Sequence, residues 1–308
     1  MHNFRVLVLG ANGLVGSSIV RTLKKSNKVK KVFAATRKDA NLFSLTETQK
    51  LISKVQPNIL INAAAKVGGI HANNTKRSSF IIDNLKININ VYESCIPFPK
   101  IKIINLGSSC IYPLNAKNPI KEEYMMTGKL ESTNSPYAMS KLAAIEIADA
   151  IKKDYGHNVI NLMPTNLYGP NDNFSEYESH VIPGLITRMH NAKIKNSSSF
   201  KIWGTGKPLR EFLHVDDLSN AVEFLLDKEV DYEILNVGSG EEISILNLAE
   251  LVKDILHFKG ELVFDTNMPD GNPRKLIDSR IINKLGWKPK ISLKNGITNT
   301  YKWYLENN

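Results

Sequence analysis

The chain has 308 residues and two cysteines, and 40 Lys and Arg set against 30 Asp and Glu give a formal net charge of +10. Cys95 and Cys110 are too few and too ill-spaced for a disulfide framework or a zinc site, so no metal is expected and a reducing cytoplasm is the expected compartment. The lysines are scattered among Ile and Asn with no arginine-rich tract, and no apolar run reaches spanning length, so neither nucleic acid nor a membrane is an expected partner.

Apolar, β-branched runs alternate with amphipathic stretches through the first half: Arg5–Leu9, Gly13–Lys25, Lys31–Ala35, Glu47–Val55, Ile59–Ala63, Phe80–Cys95, Lys102–Leu106, Tyr137–Tyr155 and Val159–Met163. Such alternation predicts βαβ units and hence an α/β, Rossmann-like doubly wound parallel sheet. From there to about Trp203 the chain is irregular and rich in Pro, Asn and Gly, as befits a segment capping the carboxyl edge of the sheet. Asp216–Leu226, Glu233–Val237 and Leu246–Leu256 read as a helix, a strand and a helix returning to the first lobe. The expected division is a dinucleotide-binding domain at 1–165 plus about 212–258, and a smaller discontinuous substrate lobe at about 166–211 plus 259–308.

Gly10-Ala-Asn12-Gly13-Leu14-Val15-Gly16 follows the strand Val6–Leu9 and opens a helix. Glycines there permit a tight turn and close backbone approach, while the helix N-terminus offers free N–H groups and partial positive charge to a pyrophosphate. At the end of the second strand an NAD site would place an acid on the ribose; Ala35-Thr36-Arg37-Lys38 instead offers cations to a 2′-phosphate, which favours NADP(H).

Leu106-Gly107-Ser108-Ser109-Cys110 comes at a strand end, and Tyr137 and Lys141 stand one helical turn apart on one face of a later helix. A neighbouring ammonium lowers a phenol's pKa, and Ser108 can hydrogen-bond a carbonyl oxygen that gains charge as hydride arrives. If the strand continues past Ser108, Cys110 shares its face.

These residues resemble the extended short-chain dehydrogenase/reductases, and within them the GDP-L-fucose synthase family. The resemblance is carried by Ala63-Ala-Ala-Lys-Val-Gly-Gly69, Leu106–Pro113, Met163–Phe174, Ser179–Pro183, Trp203–Gly206, Leu209–Asp217 and Pro269–Lys275. It implies NADPH-dependent reduction at C4 of a GDP-linked 4-keto-6-deoxy sugar after epimerisation at C3 and C5, with Cys110 as base and His180 as acid. A GDP-6-deoxy-4-keto-heptose 4-reductase is the alternative enzyme, and a non-catalytic dinucleotide-binding protein the alternative of another class. The resemblance also implies that Leu106, Gly107, Lys141, Pro164, Asn166, Leu167 and His180 line the cofactor. It gives Ser109, Arg188, Trp203, Arg210, Asp270 and Lys275 to the GDP-sugar, although Trp203 reads equally well as a core residue. The segment Ser175–Tyr177 and the irregular stretch Asn191–Phe200 are expected to shape the sugar pocket, and a homodimer through the helix Lys141–Tyr155 is expected. Two positions depart from the family: Asn12 replaces an arginine that holds the 2′-phosphate, and Ser44 replaces an aspartate beside the adenine.

Overall fold

A computed structural model describes residues 3–176, 178–267 and 270–308. Tyr177 and Pro269, which fall within the stretches just named, lie outside the described residues. In chain order the first part comprises β1 (Phe4–Leu9), α1 (Leu14–Leu23), β2 (Val29–Ala35), α2 (Leu45–Val55), β3 (Ile59–Asn62), α3 (Ile70–Thr75), α4 (Arg77–Cys95), β4 (Lys102–Leu106), α5 (Ser135–Tyr155) and β5 (Val159–Pro164). There follow β6 (Asn166–Tyr168), α6 (Val181–Ile194), β7 (Ser199–Trp203), β8 (Leu209–His214), α7 (Val215–Leu225), β9 (Ile234–Val237), β10 (Glu242–Ser244) and α8 (Ile245–Leu256). The chain closes with β11 (Glu261–Asp265), β12 (Arg274–Lys275), α9 (Arg280–Lys284) and α10 (Leu293–Asn307).

Six strands form one parallel sheet in the order β2-β1-β3-β4-β5-β9. Their β-branched residues alternate between two cores, because successive side chains of a strand point to opposite faces. Val6 and Val8 pack with α1 and α7, whereas Leu7 and Leu9 pack with α2, α4 and α5. The chain steps outward from β1 to β2 and then returns across β1 to β3. That reversal opens a crevice at the carboxyl ends of β1 and β3, where ligands of open α/β sheets bind.

A third core unites α6, α8 and α10 with β7 and β8. The expected division of the chain differs from this packing in two places. Leu248, Ala249, Val252 and Leu256 of α8 pack in the third core, while Ile282 and Trp287 pack with α7 in the first. The helical spacing of apolar residues specifies a buried face but not the surface that covers it. β8 is the seam: Phe212 faces the third core and Leu213 the first.

Candidate active site

The glycine loop solves three different steric problems. Gly10 has φ +74 and a Cβ on it would lie 2.8 Å from the backbone of Ala64, so only glycine fits beside the end of β3. A Cβ on Gly16 would overlap the carbonyl of Gly10, which lets α1 pack tightly against the turn. At Gly13 the nearest protein atom to such a Cβ would be Gly10 O at 3.6 Å, so protein packing does not demand glycine there. Gly13 is also the N-cap of α1, with no side-chain cap and no acidic residue in the first turn. The missing side chain and the uncapped helix end fit a pyrophosphate laid across the loop.

Arg37 and Lys38 are exposed in the turn after β2 and make no ion pair among the described residues. The nearby acid, Asp39, folds back on the turn, accepting from Thr36 N at 2.8 Å and Thr36 Oγ1 at 2.9 Å. These hydrogen bonds hold its carboxyl below the usual range and turn it toward Thr36. Ser44 caps α2 by accepting from Glu47 N at 3.3 Å, and the Glu47 carboxylate accepts from Asn41 N, three residues before the cap, at 2.9 Å.

β4 ends at Leu106, Gly107 is buried against the side chain of Met163, and Ser108 is extended. Beyond it the chain does not continue as a strand. Ser109–Ile111 turns into a 3₁₀ helix whose first free N–H, that of Cys110, donates to Ser108 Oγ at 3.2 Å. Ser109 is buried beneath this turn and Cys110 is half-buried. The shared face of Ser108 and Cys110 therefore arises from the turn and not from strand alternation.

α5 begins with Pro136 in its first turn, where a missing N–H costs nothing. Lys141, 4% exposed, donates to Leu106 O at 2.7 Å and stands 5.8 Å from the centroid of the Tyr137 ring. Burial pushes its ammonium down to about 8, opposed by the nearby Cys110. Burial also pushes the Tyr137 phenol up, reinforced by Cys110 and opposed by a hydrogen bond with Ser108. This reverses the direction expected from the lysine neighbour alone: burial, which disfavours the phenolate, sets the direction. Phe80 packs edge-on against the Tyr137 ring at 6.3 Å.

Cys110 Sγ receives two donors, Asn134 Nδ2 at 3.4 Å and Lys275 Nζ at 3.8 Å. Lys275, expected at the GDP end, is thus brought to the thiol. Its strand, β12, runs parallel to β8 and is fixed by Glu211, which accepts from Ile277 N at 3.1 Å. Sequence reasoning missed Asn134. An asparagine just before a Ser-Pro helix start is expected to cap that helix. Asn134 occupies the N-cap without capping, donates to the thiol, and leaves its buried Oδ1 with no partner among the described residues.

His180 is the N-cap of α6 and is solvent-accessible, yet the surrounding protein desolvates its imidazole and lowers its pKa. Pro164 ends β5, and Asn166 and Leu167 lie in β6, with Asn166 Nδ2 donating to Glu211 O at 2.8 Å. Trp203 is 39% exposed, which removes it from the core, and the Arg188 guanidinium lies 4.5 Å from its ring centroid. Arg210 is half-buried on β8, where desolvation lowers its pKa against the pull of Asp270. Asp270 accepts from Thr205 N at 2.6 Å and Thr205 Oγ1 at 2.8 Å, tying the turn after Trp203 to the segment before β12. Among the described residues no group of three or more His, Cys, Asp or Glu side chains is placed to hold a metal, and no helix is long and apolar enough to cross a membrane.

A parallel sheet with a glycine turn at its switch point and a Ser, Tyr and Lys set beside it defines a class of dinucleotide-dependent enzymes. The chain belongs to the NAD dependent epimerase/dehydratase family, whose model matches residues 6–238. It is 50% identical over 303 residues to a putative GDP-L-fucose synthase 2 of Arabidopsis thaliana, covering 98% of this chain and 92% of that protein. It is 41% identical over 318 residues to the GDP-L-fucose synthase of Escherichia coli K12, covering 100% of this chain and 98% of that protein. Among solved structures, a GDP-mannoheptose C4 reductase from Campylobacter jejuni with NADP bound superposes with a TM-score of 0.87 at 32% identity, covering 99% of each chain.

Proposed function

We propose that this protein is an NADPH-dependent epimerase/reductase that reduces C4 of a GDP-linked 4-keto-6-deoxy sugar after inverting C3 and C5. The observation that carries this reading is the convergence on one sheet edge of Ser108, Tyr137 and Lys141 with a thiol held by Asn134 and Lys275. The nicotinamide supplies hydride to C4 when bound. Tyr137, kept protonated by burial, is the proton donor to the C4 oxygen, and Ser108 hydrogen-bonds the same oxygen as it gains charge. The C4 ketone acidifies both neighbouring carbons, so a base and an acid on opposite sides of the ring suffice to invert each through an enolate. Cys110 takes the proton and His180 returns one from the other wall. Asn134 and Lys275 hold the sulfur in place.

Gly10, Asn12, Gly13, Leu14, Val15 and Gly16 hold the pyrophosphate in this reading, and Arg37 and Lys38 hold the 2′-phosphate. Leu106, Gly107, Pro164, Asn166 and Leu167 line the nicotinamide. Arg188, Trp203 and Arg210 bind the GDP moiety, and Asp270 shapes that site by fixing its turn. We divide the chain by its packing, giving the cofactor lobe the six-stranded sheet with α7 and α9, and the sugar lobe α6, α8 and α10. The exposed Ile82, Ile89, Met139 and Tyr155 on α4 and α5 supply an apolar surface for a homodimer. Light scattering at working concentration is expected to give twice the chain mass.

The test is NADPH oxidation with GDP-4-keto-6-deoxy-mannose, with product stereochemistry read by NMR. Rapid turnover to GDP-L-fucose is expected; an unepimerised product would defeat the bifunctional reading. The similarity to a GDP-heptose reductase favours one competing substrate, so the 4-keto-heptose is assayed beside the hexose. A higher kcat/KM for the heptose would replace the hexose assignment.

A further inference from the structure

Residues 69–77, to which no catalytic or binding role has been given, reach both walls of the site. Gly69 is buried at the N-cap of α3 and donates its N–H to Glu178 O at 3.0 Å. Only glycine allows this approach, since a Cβ would lie 2.5 Å from Ser179 O. Lys76, the non-helical joint between α3 and α4, pairs with Glu178 Oε1 at 2.6 Å. Both contacts fall on the two residues that immediately precede His180. From the other side, Gly184 of α6 admits Ser179 Oγ, which a Cβ there would meet at 2.8 Å. The segment carrying His180 is therefore gripped by both lobes.

Arg77 turns the opposite way. Its guanidinium donates to Ser132 O at 2.8 Å, Thr133 O at 3.3 Å and Ser135 Oγ at 3.2 Å. That turn supplies Asn134 to Cys110 and begins the helix that carries Tyr137.

We infer that the joint at residues 69–77 is a positioning strut, which sets His180 in register with Cys110 and Tyr137 across the sugar. This rests on the epimerase/reductase reading. Hydride transfer uses Ser108, Tyr137 and Lys141, all on the first lobe, whereas epimerisation needs His180 from the second. Loosening the strut at its Glu178 end consequently costs proton exchange more than reduction. The exposed ion pair contributes the smaller part, because such pairs are screened by water; the close packing of Gly69 on Ser179 contributes the larger.

The full-length Gly69→Ala and Lys76→Met variants test this by two readouts. One is solvent-deuterium incorporation at C3 and C5 of GDP-4-keto-6-deoxy-mannose, compared with NADPH oxidation on the already epimerised ketosugar. Exchange is expected to fall about 100-fold in Gly69→Ala, the loss typical of a misplaced catalytic group, and about two- to fivefold in Lys76→Met. Reduction is expected to fall far less in both, and the charge swap of Lys76→Glu with Glu178→Lys is expected to recover exchange. Equal losses in exchange and reduction, no loss in either, or a swap that recovers nothing would overturn the strut. The second readout is the imidazole Cε1–H NMR signal of His180, assigned with His180→Asn. It is expected to move in both variants and return in the swap, and an unmoved signal overturns the strut whatever the assays give. Wild-type protein that exchanges no deuterium would remove the epimerase reading, while the NMR signal still decides the strut.

Discussion

The wall proposed for the cofactor is made of consecutive residues, Gly10–Gly16 and Leu106–Cys110, each set at the end of a parallel strand. The wall proposed for the sugar gathers Arg188 from α6, Trp203 from the end of β7, Arg210 from β8 and Lys275 from β12. The first wall presents backbone: free N–H groups, a left-handed glycine and a strand end. The second presents side chains that hold one another, such as the Arg188 guanidinium over Trp203 and the Asp270 carboxylate on Thr205. Backbone geometry follows from local sequence, whereas mutual side-chain support depends on which strands the fold brings together.

The largest effect that sharpens this contrast is expected at the first wall. Tyr137→Phe removes the protonated phenol and is expected to lower kcat for reduction by about 10²- to 10⁴-fold, the usual worth of a general acid. NADPH binding, followed by fluorescence, is expected to persist. A variant with near wild-type turnover would transfer the proton donor's role elsewhere.

The next effect separates packing from binding within the glycine loop. Gly13→Ala meets no protein atom closer than 3.6 Å, so its Tm is expected to stay close to that of the wild type. NADPH affinity is expected to fall by about tenfold or more, since the added methyl would occupy the space proposed for the pyrophosphate. Gly16→Ala, whose Cβ would overlap Gly10 O, is expected to lose both affinity and stability. Comparable Tm losses in the two variants would mean that the loop glycines serve packing alone.

On the sugar side, Trp203→Ala removes an exposed ring that Arg188 covers. The change is expected to raise KM for the GDP-sugar about tenfold, for a loss of about 1.4 kcal/mol in aromatic and cation–π contact. An unchanged kcat would mark uniform binding. A fall in kcat at constant KM would instead place Trp203 beside the reacting carbons.

How much of this was legible in the sequence follows the same contrast. The βαβ alternation, the glycine turn and the Tyr137–Lys141 pair rest on local periods and spacings, and the fold and the first wall could be read from them. The direction of the Tyr137 shift could not, because it depends on how deeply the finished fold buries the ring. Lys275 at the thiol was equally hidden: β12 reaches Cys110 through pairing with β8 and through hydrogen bonds to residues 118–120, all distant from it in sequence. Asn134 carried a misleading local signal, since its position before Ser135-Pro136 suggests a helix cap. The core to which α8 belongs was hidden because an apolar helical face does not name its partner.

The smallest effect concerns Asp172, in the turn after β6 that joins the two walls. Its Oδ1 accepts from Asn173 N at 2.7 Å, but its buried Oδ2 has no partner among the described residues. Burial raises the carboxyl to about 7, opposed by the Asn173 hydrogen bond. Because the folded pKa lies above the unfolded value near 3.9, the folded state holds the proton between about pH 4 and pH 7 and the unfolded state does not. Stability from this group is therefore present at low pH and lost as pH rises through about 7, where a charged and unpartnered oxygen becomes buried. Asp172→Asn removes that charge and is expected to raise Tm at pH 8 by roughly 2–4 °C, the shift that about 1 kcal/mol gives in larger domains. The advantage is expected to shrink toward pH 5, where the wild-type carboxyl is already neutral. Calorimetry at the two pH values checks the sign, and a larger gain at pH 5 than at pH 8 would mean that the carboxylate is paired rather than orphaned in the folded protein.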